Sequence, residues 1–406
     1  MGVAPALLRG ERGARGHSVP REPGLRRARG GRRHLQRRDD RRCQHAGAQR
    51  HRRDPRPHRG PAHAPRRRRA PVTDPIDSSA AAQHPLSVSV VIPSYRRLDR
   101  IADLVRAYRA QGADQVVVVL DGPHPGWEHA VAPVARADLD VVALPENLGL
   151  ARARIAGLRA ATGDIVLAVD DDVEPGPGLV DRHRAFHAVH AGRVLQGYMP
   201  TALPATRGRD QAPTYLYARE YEAQVRVWRD GDPALLLRSL WGGNLSLRRE
   251  LYERAEELLP SVRLEYNEDL DLGLRLEKLG AVAVFDPDAR AAHHHARGLS
   301  AFLRECTARG GAIAQIEARW GERPAQLTPI IDIPRSYNRV LAALQRRIAA
   351  RDDPGALETS IVAVYRAAGL VGAWRLQDGI ARMLRRGVAM RGYRLARHEA
   401  SAVPAR

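Results

Sequence analysis

Three consecutive aspartates, Asp170, Asp171 and Asp172, follow directly after the apolar run IVLAV at residues 165–169. A short, continuous and β-branched apolar run is typical of a strand buried on both faces, so the carboxylates are expected where that strand leaves the sheet. Side chains two residues apart on an extended chain share a face, so Asp170 and Asp172 could hold one hard divalent cation while Asp171 points away from it. A solvated acidic turn is the alternative, and the triplet alone does not decide between the two.

Polar residues also follow three earlier apolar runs, at residues 87–92, 115–120 and 140–144. Helical patterns separate these predicted strands, which indicates right-handed crossovers and a mostly parallel, Rossmann-like α/β sheet with helices on both faces. Ligands of such sheets bind outside the carboxyl ends of the strands. The residues that fall at those ends, and are therefore expected to share one crevice, are Pro93 to Arg97, Asp121, Asn147 to Gly149 and Asp170 to Asp172.

The second half of the chain has a less regular pattern. Residues 199–240 carry proline and charge without a firm period, so no helix or strand is predicted there. An amphipathic helix is predicted over residues 268–280 and a strand over residues 281–285, after which the chain reads HHH at residues 293–295. From residue 300 onward the pattern is helical and rich in arginine.

Basic charge is concentrated at the start of the 406-residue chain. Residues 1–85 hold 22 arginines, no lysine and seven acidic residues, a net +15 of the +20 carried by the whole chain. The segment has almost no aliphatic periodicity, which predicts a disordered arm. One interpretation is an arginine-rich arm that binds nucleic acid or anionic lipid. The preferred interpretation is that these residues come from GC-rich sequence read upstream of the true start, because the arm is rich in arginine without lysine and resembles no folded element or known nucleic-acid module. It also has no aromatic residues for base stacking. No specific nucleic-acid partner is therefore expected.

Cysteine usage and hydropathy bear on where the protein works. Cys43 and Cys306 are the only cysteines, so a structural disulfide is not expected, and this suits a reducing compartment such as the cytoplasm. No apolar run has the length of a membrane span. Residues 374–397 are basic and partly amphipathic, which is consistent with peripheral docking on the inner face of the cell membrane, although a solvated helical face is the simpler interpretation.

The segments SVVIPSYRR, VVVLDG, ENLGLARARIAG, LAVDDDVEP, WGGNLSLRRE, EDLDLGLRLEKLG and PDARAAHHH occur in an order that closely resembles family 2 glycosyltransferases. The resemblance covers residues 86–300 and implies the GT-A fold, with a helical extension over residues 301–406. It implies an inverting transfer of a sugar from a UDP-, GDP- or dTDP-sugar donor, assisted by Mn²⁺ or Mg²⁺. The acceptor would be a hydroxyl group of a saccharide, a lipid-linked glycan or a small metabolite.

The resemblance also implies roles for single residues. Asp170 and Asp172 would bind the metal with a histidine, and the sequence leaves open whether this is His293 or His295. The base would be Asp269 or its neighbour Glu268, with Asp269 preferred, although acidic residues are also ordinary in the first turn of a helix. The residues implied to contact the donor are Pro93, Ser94, Tyr95, Arg97, Asp121, Asn147, Gly149, Arg154, Asp170 and Asp171. Those implied to contact the acceptor or the sugar are Trp241, Gly242, Gly243 and Asn244.

Two further hypotheses compete with this one. A nucleotidyltransferase would share the sheet and the metal site, but it usually has a Gly-rich loop after the first strand, and residues 93–97 (PSYRR) are not such a loop. A nucleic-acid-binding or scaffold protein acting through residues 1–85 belongs to a different class. Deleting the arm separates the two classes, because sugar transfer should survive the deletion and phosphate-dependent binding should not.

Overall fold

The computed structural model describes residues 85–402. The expectation for the arginine-rich arm, residues 1–85, thus lies outside the described residues except for Pro85. Within the described range the strands form one mixed sheet. They are β1 (Val88–Ser94), β2 (Gln115–Leu120), β3 (Leu139–Ala143), β4 (Ile165–Val169), β5 (Val173–Pro175), β6 (Arg193–Tyr198), β7 (Asn244–Arg248) and β8 (Val282–His293).

The strand order in this sheet is β3-β2-β1-β4-β7-β6-β8-β5. Strands β1 to β4 pair in parallel, with Val91 opposite Val117 on one side and Ala168 on the other. Strand β7 runs antiparallel to both β4 and β6, and β8 returns parallel to β6. The parallel half therefore delivers the carboxyl ends of β1, β2 and β4 to one edge, as expected from the alternation of strands and helices.

Helices cover the sheet and form most of the second half of the described chain. They are α1 (Ile101–Ala110), α2 (Trp127–Val131), α3 (Leu150–Ala160), α4 (Leu179–Val189), α5 (Ala212–Asp230), α6 (Arg249–Leu258), α7 (Glu268–Lys278), α8 (Leu299–Trp320), α9 (Thr328–Ile331), α10 (Arg339–Ala349), α11 (Ala356–Leu370) and α12 (Trp374–Ala402). Each helix within residues 85–402 is too short or too polar to cross a lipid bilayer.

The main core lies between the parallel strands and their helices. All residues of β1, β2 and β4 are buried, which explains their continuous valine-rich sequence. Helix α3 packs closely on this sheet at Gly157, where an added Cβ would lie 2.3 Å from a methyl group of Val91. A larger residue there would push α3 away from the sheet and shift the cleft residues that this helix carries.

The C-terminal helices have cores of their own. Helices α8 and α12 lie side by side, and each has a glycine at the crossing: Cβ atoms at Gly310 and Gly392 would lie 1.9 and 2.0 Å from the carbonyl oxygens of Ala389 and Thr307. Glycine is required at both positions because the two backbones nearly touch. Cys306 is buried in this region as a free thiol. The boundary predicted at residue 300 stays a prediction, although α8 begins at Leu299.

Two elements differ from the sequence expectation. Helix α5 lies in residues 199–240, where no element was predicted, because its charged residues interrupt the apolar face and Pro213 occupies its first turn. Strand β8 does not end at Phe285 but continues to His293. It passes Pro287 at an irregularity in its pairing with β6, where a residue without an N–H group is tolerated.

Candidate active site

A cleft of about 1000 Å³ opens at the carboxyl ends of the parallel strands. All residues that were given a functional role from the sequence line this cleft, with one exception. They are Pro93, Ser94, Tyr95, Arg97, Asp121, Asn147, Gly149, Arg154, Asp170, Asp171, Asp172, Trp241, Gly242, Gly243, Glu268, Asp269, His293 and His295. The convergence expected from the topology of parallel strands is therefore present in the structure.

Asn244 is the exception. It begins strand β7 and is fully buried, with its amide nitrogen donating to the carbonyl of Ala289 at 2.9 Å and its amide oxygen 3.0 Å from His183 Nε2. Neighbouring residues of a strand point to opposite faces, so Gly243 faces the cleft and Asn244 faces the core. Asn244 thus links β7 to β8 and α4, and the expected contact with acceptor or sugar is not available to it.

The aspartate triplet forms a turn and not an extended segment. Strand β4 ends at Val169, and the N–H of Val173 donates to the carbonyl of Asp170 at 3.1 Å. Asp170 and Asp172 therefore do not share a face as expected for an extended chain. Asp171 is buried and accepts hydrogen bonds of 2.8 Å from both Ser94 and Arg97.

Asp172 lies at the centre of a group of possible metal ligands. Its carboxylate, His293 and His295 each offer an atom, and these atoms lie within 4.8 Å of one another. Nε2 of His293 is 3.0 Å from Oδ1 of Asp172, and Arg97 donates to the other oxygen at 2.7 Å. Burial opposes ionisation, but His293 and Arg97 hold the pKa of Asp172 well below its usual range. The group of possible metal ligands found among residues 85–402 does not include Asp170.

Tyr217 supports both imidazole rings from helix α5. Its hydroxyl lies 3.2 Å from Nδ1 of His293, and its ring stacks on His295 with 3.8 Å between ring centroids. Burial lowers the pKa of His295 to about 3, so this imidazole is neutral at physiological pH. The sequence analysis did not identify Tyr217, because α5 carries no recognisable motif and only the folded chain brings it to β8.

Asp170 pairs with Arg154 of helix α3. The guanidinium donates to Asp170 at 2.8 Å and to Glu268 at 3.0 Å, so it joins the end of β4 to the start of α7. Burial disfavours the cation, yet the two carboxylates raise the pKa of Arg154. A Cβ atom at Gly242 would lie 2.5 Å from Nη1 of Arg154, so the glycine is needed for the approach of this arginine.

Asp269, in the first turn of α7, is a buried carboxylate of the cleft. Its Oδ1 accepts a 2.8 Å hydrogen bond from the N–H of Leu270, and a further backbone bond comes from Gly242. Burial, followed by the negative charge of Glu268, raises the pKa of Asp269 to about 7. A carboxylate with this pKa can accept a proton near neutral pH.

Asp121 uses both of its oxygens to hold the loop before α3. It accepts from the N–H groups of Leu148 and Gly149 at 2.7 and 3.0 Å. Gly149 has a φ of 83°, which favours glycine. Asp121 was expected to contact the donor, and in the structure its two oxygens hold the loop that lines the cleft beside it.

Aromatic side chains form one wall of the cleft. Trp241 packs against Tyr217 and Tyr221, with ring centroids 5.3 and 4.9 Å away, and its remaining surface faces the cleft. Tyr95, which also lines the cleft, is 44% exposed. Both rings are available to a planar base or to the apolar face of a sugar.

Comparison with known proteins agrees with this architecture. Residues 89–226 match the model of "Glycosyl transferase family 2". A pre-mycofactocin glycosyltransferase of Mycobacterium tuberculosis is 27% identical over 272 residues, which cover 62% of this chain and 53% of the relative. An N-acetylglucosaminyltransferase of Sinorhizobium fredii is 27% identical over 258 residues, 57% of each chain. The chain thus spans about half the length of these curated relatives.

A solved structure supports the fold assignment. A mannosyltransferase from Pyrobaculum calidifontis, determined with GDP-Man and Mn²⁺, superposes with a TM-score of 0.51 at 20% identity, over 79% of this chain and 90% of the other. This similarity concerns the fold, which is the GT-A fold expected from the sequence. Residues 89–226 thus carry the match to family 2 glycosyltransferases, and the described residues have the GT-A fold.

Proposed function

We propose that the chain is an inverting, metal-assisted glycosyltransferase that moves a sugar from a nucleotide-diphosphate donor to a hydroxyl acceptor. The observation that carries this proposal is the placement of two different groups in one cleft. One is the set of metal-type ligands Asp172, His293 and His295, and the other is Asp269, whose pKa is raised to about 7. This is the acid–base and ligand chemistry that displacement of a nucleoside diphosphate requires.

The residues present fit a divalent cation. One buried carboxylate and two imidazoles make a mixed oxygen and nitrogen ligand set that suits Mn²⁺, and the neutral state of His295 is the one that binds metals. Asp172, His293 and His295 would hold the ion, and the hydroxyl of Tyr217 orients His293. When bound, the ion supplies positive charge that stabilises the departing diphosphate.

Asp269 acts as the base. It accepts the proton of the acceptor hydroxyl while the acceptor oxygen forms a bond to the anomeric carbon of the sugar. The bond between that carbon and the phosphate oxygen breaks, and both of its electrons leave with the nucleoside diphosphate. Attack from the face opposite the leaving group inverts the anomeric configuration. Arg154 donates hydrogen bonds to Glu268, the neighbour of Asp269, and to Asp170 on the donor side. It thereby holds the base segment in position relative to the donor.

The donor is proposed to be a UDP-, GDP- or dTDP-sugar, and the fold neighbour solved with GDP-Man and Mn²⁺ supports this class. The decisive experiment measures nucleotide release from a panel of these donors with Mn²⁺, with Mg²⁺ and with EDTA. The proposal requires at least one donor to be turned over with metal and not with EDTA. An unchanged rate in EDTA would refute the metal-assisted mechanism, and no turnover of any donor would refute the function.

Peripheral attachment to an anionic membrane surface forms the second part of the proposal. Three apolar side chains are exposed where α11 ends, in the following turn and at the start of α12. They are Leu370, Val371 and Leu376, which are 62%, 80% and 54% exposed. Beside them, Arg366 and Arg375 are exposed and make no hydrogen bond or ion pair with any residue of the range 85–402. Apolar side chains flanked by unpaired cations suit a bilayer that carries anionic headgroups.

Vesicle sedimentation tests this attachment. Replacing Leu370 and Val371 together by serine should weaken binding to phosphatidylglycerol vesicles by about tenfold or more, since each side chain loses its transfer into the bilayer. The matched control replaces Val189 and Val227 by serine. These residues lie on other helices and are 74% and 55% exposed, so the control variant should bind as the wild type does. Equal binding of all three proteins, or no binding by the wild type, would refute the attachment.

A further inference from the structure

Arg309, on helix α8, differs from the other arginines of the cleft. The other five form ion pairs with carboxylates: Arg97 with Asp171 and Asp172, Arg154 with Asp170 and Glu268, Arg238 with Glu277, Arg263 with Glu265, and Arg297 with Glu305. The side chain of Arg309 makes no hydrogen bond or ion pair with any residue between 85 and 402. Its guanidinium contacts the ring of Tyr266, with its carbon 5.3 Å from the ring centroid.

The Nε atom of Arg309 is buried and also lacks a hydrogen-bond partner. In the part of the chain that the structure describes, six arginine Nε atoms are buried without a hydrogen-bond partner. In the other five side chains a terminal nitrogen reaches an oxygen; they are Arg109, Arg154, Arg207, Arg248 and Arg275. Arg309 is partly buried and has no counter-charge among residues 85–402, so its guanidinium is available to an anionic ligand.

Nearby carboxylates do not cancel the charge of Arg309. Glu305 lies one helical turn before it but binds Arg297, at 2.5 Å. Glu220, also in the cleft, pairs with Arg385. Both acidic side chains are therefore neutralised by other arginines, and the positive charge of Arg309 is available to a bound molecule.

The position of Arg309 assigns this anion to one substrate. Arg309 packs on Tyr266, which precedes the proposed base Asp269 by three residues. Tyr266 and Asp269 lie within three residues of each other at the start of helix α7, and both line the cleft with Arg309. Arg309 thus packs against the segment that carries the proposed base. The ligands proposed for the metal ion, which would stabilise the donor diphosphate, come instead from the turn after β4 and from the end of β8, through Asp172 and His293.

We infer that the acceptor carries an anionic group, a carboxylate or a phosphate, that pairs with the guanidinium of Arg309 while its hydroxyl faces Asp269. This inference rests on the proposed function, because it names the acceptor class of the same cleft. A charge-assisted hydrogen bond in a partly buried site is typically strong enough to change affinity by about 10- to 100-fold.

The test compares three sugars of similar size: methyl glucuronide, glucose 6-phosphate and methyl glucoside. For each one we would measure the concentration that gives half of the maximal change in nucleotide release from the best donor. This readout applies whether the added sugar blocks hydrolysis of the donor or accepts the transferred sugar. At least one charged sugar should act at a concentration about tenfold or more below that of methyl glucoside.

Three variants identify the residue responsible. Arg309→Gln should abolish the preference for the charged sugar, and Arg309→Lys, which keeps the charge, should retain part of it. Arg304→Gln removes the same charge from an exposed position of α8 outside the cleft and should keep the full preference. Melting temperatures of all variants establish that they are folded.

The outcomes separate this inference from the proposed function. If the wild type turns over a donor but shows no preference for a charged sugar, the inference is wrong and the function stands. A preference that persists in Arg309→Gln also overturns the inference. If the wild type turns over no donor, the function itself fails and the inference fails with it. A preference for only one charged sugar identifies the anion as carboxylate or phosphate.

Discussion

Arg154 donates a hydrogen bond of 2.8 Å to Asp170 and thereby ties helix α3 to the end of strand β4. The same guanidinium donates to Glu268 at 3.0 Å, at the start of helix α7. A single buried cation thus fixes the proposed donor side of the cleft relative to the segment that carries the proposed base. Rigid placement of this kind lets a substrate and a base meet without reorganisation.

Replacing Arg154 by leucine should lower the free energy of unfolding by about 3 kcal/mol or more, because two largely buried carboxylates lose their counter-charge. Urea denaturation followed by fluorescence measures the change. Arg263→Leu is the control, since its pair with Glu265 is 56% exposed on each side and should contribute no more than about 1 kcal/mol. Equal effects of the two substitutions would show that the buried network does not stabilise the fold.

Asp269→Asn should reduce sugar transfer by about 100-fold or more while donor binding is retained, because the amide cannot accept the acceptor proton. Transfer is measured with a radiolabelled donor and binding by calorimetry with the matching nucleoside diphosphate. Glu265→Gln, an exposed residue at the cleft, serves as the control and should transfer at the wild-type rate. Transfer by Asp269→Asn at a similar rate would exclude Asp269 as the base.

The sequence was informative where the structure depends on local pattern. The bounds of β2 and β4 and the start of α7 follow directly from the pattern of apolar residues, because a buried strand and an amphipathic helix each show their period within a few residues. The meeting of Asp121 with Asp170 in one cleft also follows, since the carboxyl ends of parallel strands share one edge.

The sequence was not informative where side chains select partners across long separations. The pairing of Asp170 with Arg154, the stacking of Tyr217 on His295 and the unpaired state of Arg309 depend on how α3, α5 and α8 pack. The sequence also predicts an extended segment at Asp170 to Asp172, whereas these residues form a turn. Local periodicity carries no information on such contacts, so the expected ligand Asp170 and the unexpected neighbour Tyr217 could be placed only from the fold.

The rate of transfer should rise with pH through about pH 7, because burial and Glu268 raise the pKa of Asp269 and only the ionised carboxylate accepts a proton. Below this pH the rate should fall about tenfold per pH unit. The measurement is kcat/KM between pH 5 and pH 9 at saturating donor. A flat profile, or a midpoint near that of an ordinary aspartate, would contradict the role of a raised pKa.

The same shift predicts a change in stability. Asp269 has a higher pKa when folded than when unfolded, so its contribution to stability is fully present below about pH 4 and is lost as the pH rises through about 7. Asp269→Asn carries no charge and avoids this loss. Its melting temperature should therefore exceed that of the wild type at pH 8, and this advantage should shrink at pH 5. A constant difference at all pH values would show that the buried carboxylate does not titrate as proposed.

Removing a ligand of the proposed metal site should weaken binding of Mn²⁺. Asp172→Ala and His293→Ala should each lower the affinity by about tenfold or more, as measured from the free Mn²⁺ signal in electron paramagnetic resonance with UDP or GDP present. His294→Ala is the matched control: the residue lies between the two histidines in sequence, but its Nε2 pairs with Glu174. Because His294 is not part of the ligand group, its variant should bind the ion as the wild type does. Equal affinities for all four proteins would place the ion elsewhere in the cleft.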